Sequence, residues 1–237
     1  APGKRVCWLL GRQHAGETQG AWWMEGALEC LTDPHDPLAA ALLEQAVFYA
    51  MPICNPDGSR RGHLRFNAAG VDLNRSWALE EAELMQKAPE VGLLRARMAQ
   101  TGVDFCLDVH GDEGLPYNFM VGHEGIPSLT DERLALLNDY RTALAARCPD
   151  FKTEHGYGRA PAGKANLALC TNYVAETFGA LACTLEQPFK DAANHPDPER
   201  GWTPARSKAL ARDCLVTLLE VMPRLNASGG VIAGGAA

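Results

Sequence analysis

The sequence predicts an α/β fold in which a mixed, largely parallel central sheet carries helices on both faces. Two observations support this class. Short apolar runs alternate along the chain with longer segments of helical spacing. These short runs are apolar on both of their faces, as is typical of parallel strands that helices cover on both sides. The length of 237 residues and the hydrophobic content of 46% suit one globular domain with a sizeable core.

The individual elements follow from these patterns in chain order. Five apolar runs are predicted to be strands, at residues 6–10, 46–54, 103–109, 117–121 and 181–185. Helical spacing predicts four helices, at residues 18–31, 79–99, 131–146 and 165–178. A last helix is predicted to begin at Thr203-Pro204, because threonine is a good N-cap and proline suits the first helical position. The remaining long stretches, residues 55–76 and 151–164, are expected to be irregular loops above the sheet, where α/β proteins usually keep their chemistry.

Composition and charge limit the class of protein. The formal net charge of −7 argues against a surface that binds nucleic acid or acidic membranes. No apolar stretch approaches the roughly 20 residues of a transmembrane helix. The eight cysteines lie mostly in apolar runs without a CxxC pair, which indicates reduced, buried thiols. We therefore expect a soluble, cytoplasmic protein whose domain spans residues 1–226, followed by a flexible Gly/Ala-rich tail at residues 227–237.

Two strand ends carry residues that could bind a metal ion. His14 and Glu17 follow the first predicted strand, and His110 ends the third. Imidazole nitrogen and carboxylate oxygen both suit zinc, and three such ligands leave the fourth position of a tetrahedral ion open, as in catalytic sites. Taken singly, His14-x-x-Glu17 could be a solvated loop and His110 a core histidine bonded to backbone. Together the two strand ends predict one catalytic zinc ion per chain. The other histidines lie in loop-like contexts and are expected on the surface: His35, His63, His123, His155 and His195.

A carboxylate and a group of arginines complete the predicted site. Glu186 follows the apolar run 181–185, and the next three residues are expected to stop the strand and expose this carboxylate at the sheet edge. Without the other residues, Glu186 would be interpreted as a surface glutamate at a strand end. Four arginines in the loop 55–76 indicate an anionic partner, such as a substrate with a free C-terminal carboxylate. They are Arg60, Arg61, Arg65 and Arg75.

The ordered motifs resemble the zinc metallocarboxypeptidase family, and within it the cytosolic carboxypeptidase-like branch. The resemblance covers about residues 5–222. It rests on these motifs in the family's order: His14-x-x-Glu17, Asn55-Pro56-Asp57-Gly58, Arg65, Gly70-Val71-Asp72-Leu73-Asn74-Arg75, His110 and Thr184-Leu185-Glu186. It implies a zinc-dependent peptidase that hydrolyses the C-terminal bond of peptides or proteins, with the metal held by His14, Glu17 and His110.

The resemblance also implies roles for the other residues. Glu186 would be the general base and acid, and Arg65 would polarise the scissile carbonyl and stabilise its oxyanion. Asn74 and Arg75 would bind the terminal carboxylate of the substrate. Asp72 would orient the first ligand histidine, a role that metal-bound imidazoles commonly require.

Two features depart from the family's pattern. Only 13 residues precede His14, whereas the family's sheet has additional strands and a helix before that point, and the cytosolic branch carries a further β-rich domain. We therefore expect the N-terminal part of the fold to be missing, cleaved or supplied elsewhere. The tyrosine that closes over the substrate in many members is also hard to assign. Tyr157 has a suitable glycine-rich setting, whereas Tyr173 is expected to pack on a helix.

The loop 151–164 is expected to wall the pocket for the departing side chain. It offers Arg159 and Lys164, with Glu154 as the nearest acid. An unpaired cation in a partly desolvated pocket favours an acidic side chain and repels lysine or arginine. The cytosolic branch is likewise associated with removal of C-terminal glutamate. If Arg159 and Lys164 are instead surface residues beside a helix start, they give no reason to expect a preference for acidic side chains.

Two other functions are compatible with parts of the pattern. A zinc deacylase of small N-acyl amino acids would use the same ligands, arginines and glutamate. The long helix, loop and helix between His110 and Glu186 resemble the peptidase arrangement more closely, and the β-rich extension expected of that deacylase group does not follow Glu186. A non-catalytic binding module is disfavoured because every catalytic position is filled.

Overall fold

The computed structural model describes residues 3–225, so the predicted tail at 227–237 lies outside the described residues. Its strands are β1 (Arg5–Gly11), β2 (Ala46–Met51), β3 (Phe105–Asp112), β4 (Phe119–Val121) and β5 (Leu181–Pro188). They form one sheet in the order β2-β1-β3-β5-β4. All neighbouring pairs are parallel except β4 and β5, which are antiparallel. The predicted mixed, largely parallel sheet is confirmed.

Helices cover both faces of this sheet, as predicted. In the described part of the chain they are α1 (Thr18–Thr32), α2 (Pro37–Gln45), α3 (Pro56–Arg61), α4 (Glu81–Lys87), α5 (Pro89–Thr101), α6 (Asp131–Arg147), α7 (Cys170–Phe178) and α8 (Pro204–Val221). Short 3₁₀ turns occupy Leu73–Arg75 and Met222–Arg224. None of the helices in residues 3–225 has the length and apolar character needed to span a bilayer.

Two apolar clusters pack on opposite faces of the strands, because successive strand side chains point to opposite sides. On one face, Leu9 and Leu107 belong to a cluster with side chains of α1, α6 and α8, among them the fully buried Trp23. On the other face, Leu10 and Cys106 pack with side chains of α4, α5 and α7. The rigid double-sided core holds the carboxyl ends of the strands in place.

Two helix predictions are wrong in their details. The single helix predicted at 79–99 is two helices, because Ala88 between them is not helical and proline at position 89 disfavours helical backbone in the residue before it. Helix α7 begins at Cys170, five residues later than predicted. Helices α2 and α3 have no counterpart among the predicted helices. Their N-caps, Asp36 and Asn55, accept hydrogen bonds from backbone nitrogens and are each followed by proline, a start signal that was present in the sequence.

The carboxyl ends of β1, β3 and β5 place the chemically interesting residues together. β1 ends at Gly11, shortly before His14. In the parallel pair of β3 and β5, His110 and Glu186 are direct partners in register. The predicted strand stop after Leu185 is wrong, because β5 continues through Pro188. Glu186 therefore lies within a central strand and is buried rather than exposed at an edge.

Candidate metal centre and active site

The three predicted metal ligands converge at the carboxyl end of the sheet. The potential ligand atoms of His14, Glu17 and His110 all lie within 4.8 Å of one another, and the three residues are buried. Nδ1 of His14 lies 2.6 Å from Glu17 Oε1 and 3.1 Å from His110 Nδ1. Nδ1 of His110 lies 2.7 Å from Glu17 Oε2. Two imidazole nitrogens and a carboxylate around one point are a donor set that suits zinc.

The outer nitrogen of each imidazole faces a carboxylate. Nε2 of His14 lies 3.1 Å from Asp72 Oδ1, and Nε2 of His110 lies 2.7 Å from Asp108 Oδ2. When Nε2–H donates to a carboxylate, Nδ1 keeps its lone pair for a metal. The arrangement at Asp72 is compatible with its predicted orienting role. Asp108 has the corresponding position beside His110, and it is not among the predicted site residues.

A buried chain of hydrogen bonds supports Asp108. Gln13 donates from Nε2 to Asp108 Oδ2 at 2.6 Å, and its Oε1 accepts from Trp77 Nε1 at 2.9 Å. All three side chains are fully buried. Because a buried polar group without a partner is costly, this chain fixes the carboxylate that holds the His110 ring.

The loop that carries His14 and Glu17 is held by close backbone contacts. The backbone nitrogen of Gly16 donates to the carbonyl of Leu64 at 2.6 Å. A Cβ at position 16 would lie 2.9 Å from that carbonyl oxygen, so the approach requires glycine. Arg12 adopts a positive φ of 55°, and its Nε donates to the carbonyl of Ala15 at 3.1 Å. The loop is therefore tied at both ends before any metal binds.

The charges of the centre favour a cation. Burial opposes ionisation of Glu17, but the two imidazoles lower its pKa to about 2. Burial also opposes ionisation of Asp72, yet His14 and Arg65 hold its pKa well below its ordinary value. Burial opposes the charged form of His110, whereas the carboxylates of Asp108 and Glu17 raise its pKa. Ionised carboxylates around neutral or protonated imidazoles are the environment in which a divalent cation displaces protons.

Glu186 lies beside this centre but in a different electrostatic environment. The residue is 8% exposed, and its Oε2 has no hydrogen-bond partner among residues 3–225. Burial, opposed by His110 and reinforced by Glu17 and Asp112, raises the pKa of Glu186 to about 8. A carboxyl group that titrates near neutrality can accept a proton in one step and donate it in another.

A cavity of about 770 Å³ opens over the centre, and His14, Glu17, Glu186, Arg65, Asn74 and Arg75 line it. Arg65 donates from Nε to Asp72 Oδ2 at 2.7 Å, which uses one of the five N–H donors of its guanidinium. Arg75 donates from Nη1 to the carbonyl of Asn74 at 2.8 Å. The other two arginines of the predicted group, Arg60 and Arg61, are exposed on α3 and are not brought to this cavity.

The side-chain amide of Asn74 has a defined orientation. Its Oδ1 accepts a hydrogen bond from the backbone nitrogen of Cys170 at 2.9 Å, and its Nδ2 lies 3.4 Å from His110 Nε2. Because that imidazole nitrogen donates to Asp108, it cannot accept from Asn74. The amide N–H groups of Asn74 are therefore left for an acceptor in the cavity.

A second cavity, of about 620 Å³, adjoins the first and contains Arg159 and Lys164. Arg159 is not unpaired as predicted, because its Nε lies 3.5 Å from Glu124 Oε1. Glu124 rather than Glu154 is the acid that lines this cavity, and it also pairs with both terminal nitrogens of the buried Arg141. The cavity has a positive charge, because one acid, Glu124, lines it together with four cations: Arg141, Lys152, Arg159 and Lys164.

Tyr157 stands between the two cavities and lines both. Its hydroxyl donates to Asp112 Oδ2, and its ring packs edge-on against Phe119 with centroids 5.0 Å apart. Burial of the hydroxyl and the carboxylates of Glu186 and Asp112 raise the pKa of Tyr157, so the phenol stays protonated. Tyr173 lies on α7 and packs tilted against Trp77, as predicted for a helix residue.

The prediction that His123 lies on the surface is wrong. The residue is 1% exposed, and its Nδ1 lies 2.9 Å from the carbonyl oxygen of Ala182. Burial lowers its pKa to about 4. His35 and His195 are exposed as predicted, whereas His63 and His155 are half-buried. The position of His123 soon after the predicted strand 117–121 was the signal that could have placed it inside.

Comparisons with known proteins place these residues in a family context. The family described as zinc carboxypeptidase matches residues 1–90. An uncharacterised protein of Zymomonas mobilis is 52% identical over 227 residues, which is 96% of this chain and 59% of the relative. Cytosolic carboxypeptidase 6 of Mus musculus is 32% identical over 123 residues, covering 51% of this chain and 23% of that protein.

Solved structures show the same fold. A metallo-carboxypeptidase from Pseudomonas aeruginosa, in complex with (2-guanidinoethylmercapto)succinic acid, is 42% identical with a TM-score of 0.89. The match covers 95% of this chain and 60% of that one. The chain thus spans about three fifths of the length of the relatives that it matches over most of its own residues.

Proposed function

We propose that this chain, which belongs to the zinc carboxypeptidase family, is the catalytic part of a zinc-dependent hydrolase that removes C-terminal residues from peptides or proteins. One observation carries the proposal. The donor set of His14, Glu17 and His110 opens into the same cavity as Glu186 and Arg65. A metal, a proton-transfer group and an oxyanion donor are the three parts that metal-assisted peptide hydrolysis needs.

The donor set fits one zinc ion per chain. Two imidazoles and one carboxylate leave an open coordination position, and Asp72 and Asp108 hold the outer nitrogens of the rings. When bound, zinc would act as a Lewis acid on the scissile carbonyl and activate water at neutral pH. The chain's own residues would supply the remaining steps.

Glu186 would carry the proton. Burial raises the pKa of its carboxyl group to about 8, and a bound cation would lower that pKa, so that the ionised carboxylate could take a proton from water and return it to the departing amine. Arg65 would stabilise the negative charge that develops on the carbonyl oxygen, because Asp72 holds its guanidinium beside the cavity. Asn74 and Arg75 would bind the terminal carboxylate and so restrict cleavage to the last peptide bond.

The adjoining cavity supports a preference for acidic C-terminal residues, of which glutamate is the example. Arg159, Lys164 and Arg141 outnumber Glu124 there, so a carboxylate side chain is attracted and a lysine or arginine is repelled. Tyr157 would close over the bound residue.

We also propose a cytoplasmic location. All eight cysteines are free and buried, which suits a reducing compartment. Several relatives carry the name cytosolic carboxypeptidase. The substrate would be the C-terminus of a peptide or protein, with no role for nucleic acid or membranes.

The test is turnover by the zinc-loaded protein of matched peptides that end in Glu, Leu or Lys. We expect about one zinc per chain, release of the last residue only, and the highest kcat/KM for Glu. Glu186→Gln should keep zinc and lower kcat by about 100-fold or more. Arg159→Ala and Lys164→Ala should reduce the advantage of Glu over Leu, whereas Arg60→Ala, an exposed arginine on α3, should not.

Three outcomes would contradict the proposal. Full zinc occupancy in His110→Ala would show that the assigned set of zinc ligands is wrong. Hydrolysis of small N-acyl amino acids without peptide cleavage would identify a deacylase on the same fold. Zinc and peptide binding without any turnover would indicate a binding module. A parent preference for Leu or Lys would refute the role of the cationic cavity alone.

A further inference from the structure

We propose that Asp112 is a positioning residue that holds the hydroxyl of Tyr157 at the boundary between the reaction cavity and the cationic cavity. This inference rests on the proposed function. Asp112 is the last residue of β3, two positions beyond His110, and its side chain lines the reaction cavity. Sequence patterns do not connect it with Tyr157, which lies 45 residues further along the chain.

The two oxygens of Asp112 have separate partners. Oδ1 accepts hydrogen bonds from the backbone nitrogens of Gly114 at 2.7 Å and Leu115 at 2.5 Å. These bonds fix the carboxylate on the turn that follows β3. Oδ2 accepts the hydroxyl hydrogen of Tyr157. The carboxylate therefore ties a loop at the end of a central strand to the separate loop 151–164.

Tyr157 has few other restraints. Glycines flank it on both sides, and Gly156 has a φ of +139°, a conformation that other residues rarely adopt. The tyrosine is 51% exposed, so half of the side chain is free of protein contact. Its ring contacts Phe119 edge-on, and its hydroxyl meets Asp112. An edge-on ring contact permits sliding, whereas a hydrogen bond to a carboxylate defines one position.

That position decides the shape of the substrate site. Tyr157, Leu169 and Asn172 line both cavities, so the tyrosine forms part of the wall that a C-terminal residue must pass or contact when its side chain enters the cationic cavity. Without the bond to Asp112, the Tyr157 side chain would occupy several positions. The bound residue would then be held less tightly, while Glu186 and the metal ligands stay in place.

The decisive variant is Asp112→Asn. Asparagine keeps an oxygen for the turn, where it is a favoured residue, but replaces the acceptor of the tyrosine hydroxyl by an amino group. Asp112→Ala, Tyr157→Phe and the double variant Asp112→Asn/Tyr157→Phe complete the set. Glu113→Gln, the adjacent exposed carboxylate, is the matched control. Zinc content and the circular dichroism of each variant verify that the fold and the metal centre are retained.

Because hydrogen bonds to charged groups exceed ordinary ones in strength, Asp112→Asn and Tyr157→Phe should each raise KM by about 10-fold and change kcat much less. The double variant should be no worse than Tyr157→Phe alone, since loss of the tyrosine hydroxyl already removes the bond. Additive effects, or a loss confined to kcat, would overturn the proposal.

A second measurement does not depend on turnover. In protein labelled with 3-fluorotyrosine, the ¹⁹F resonance that disappears in Tyr157→Phe should shift in both Asp112 variants and stay in place in Glu113→Gln. An unshifted resonance would overturn the proposal even if the enzyme is active. A shifted resonance in a protein that cleaves no peptide would refute the proposed function and leave the contact between Asp112 and Tyr157 standing.

Discussion

Replacing Glu186 by glutamine in the chelated, metal-free protein should make its stability less dependent on pH. Burial raises the pKa of this carboxyl from 4.5 to about 8 in the folded chain, whereas the unfolded chain ionises it near the ordinary value. Between these values the folded state binds a proton that the unfolded state does not. The free energy of unfolding therefore falls as pH rises through this window. The glutamine variant lacks the carboxyl group, so its free energy of unfolding should not show this contribution.

The size of the effect follows from the two pKa values. One pKa unit corresponds to about 1.4 kcal/mol, and from about pH 5 to pH 8 the two states differ by nearly one proton for most of the interval. Allowing for partial titration at both ends, the parent should lose about 3 kcal/mol more than Glu186→Gln over this range. Other groups that titrate there, including the histidines, cancel in the difference between the two proteins.

Urea unfolding of both chains in excess chelator, at several pH values across the window, measures this difference. Glu113→Gln provides the control, because it removes an exposed carboxylate just after β3 and should follow the parent. If the free energies of unfolding of the parent and of Glu186→Gln change with pH in parallel, the buried carboxyl ionises near its ordinary pKa. The proton-transfer role proposed for Glu186 would then lose its physical basis.

Three further predictions concern the support of the site and the core. Asp108→Asn removes the charged partner of His110 Nε2 and should weaken zinc binding about 10- to 100-fold in competition with a chelator. Gly16→Ala forces a Cβ to within 2.9 Å of the Leu64 carbonyl oxygen and should destabilise the protein by about 1–3 kcal/mol in urea unfolding, whereas Gly158→Ala, with nothing within 4 Å, should not. Tyr140→Phe removes the buried bond from the tyrosine hydroxyl to the Cys214 carbonyl and should cost about 1 kcal/mol by the same assay. Unchanged values for these variants would contradict the contacts from which each prediction is drawn.

Strand-end placement is what made much of the centre predictable from sequence. The carboxyl ends of parallel neighbours meet at one edge of a sheet, so His14, Glu17 and His110 could be brought together before their distances were known. The rule does not extend to His123, because β4 is antiparallel to β5 and its carboxyl end lies at the opposite edge of the sheet, beside Ala182. The break before Pro89 was also available locally, because the residue before a proline avoids helical backbone.

Other parts of the site depend on contacts that no local pattern encodes. Glu124 and Arg141 are 17 residues apart, on different elements, and their pairing decides which cation of the second cavity is already neutralised. Gln13, in the loop after β1, reaches Asp108 on β3 across 95 residues. Sequence patterns can predict that such groups are polar and buried. The packing of strands and helices determines which residue each group contacts.

Glu17 and Glu186 show how one edge of the sheet produces two chemical roles. Glu17 touches both imidazoles, and these lower its pKa to about 2, so it is an anion at every working pH and suits a metal. Glu186 is the register partner of His110, but its Oε2 meets no hydrogen-bond donor in the described chain, and burial raises its pKa to about 8. Environments that push the pKa values of neighbouring carboxyl groups apart separate the charge-holding residue from the proton-carrying one. The division therefore arises from which glutamate the imidazoles contact through hydrogen bonds.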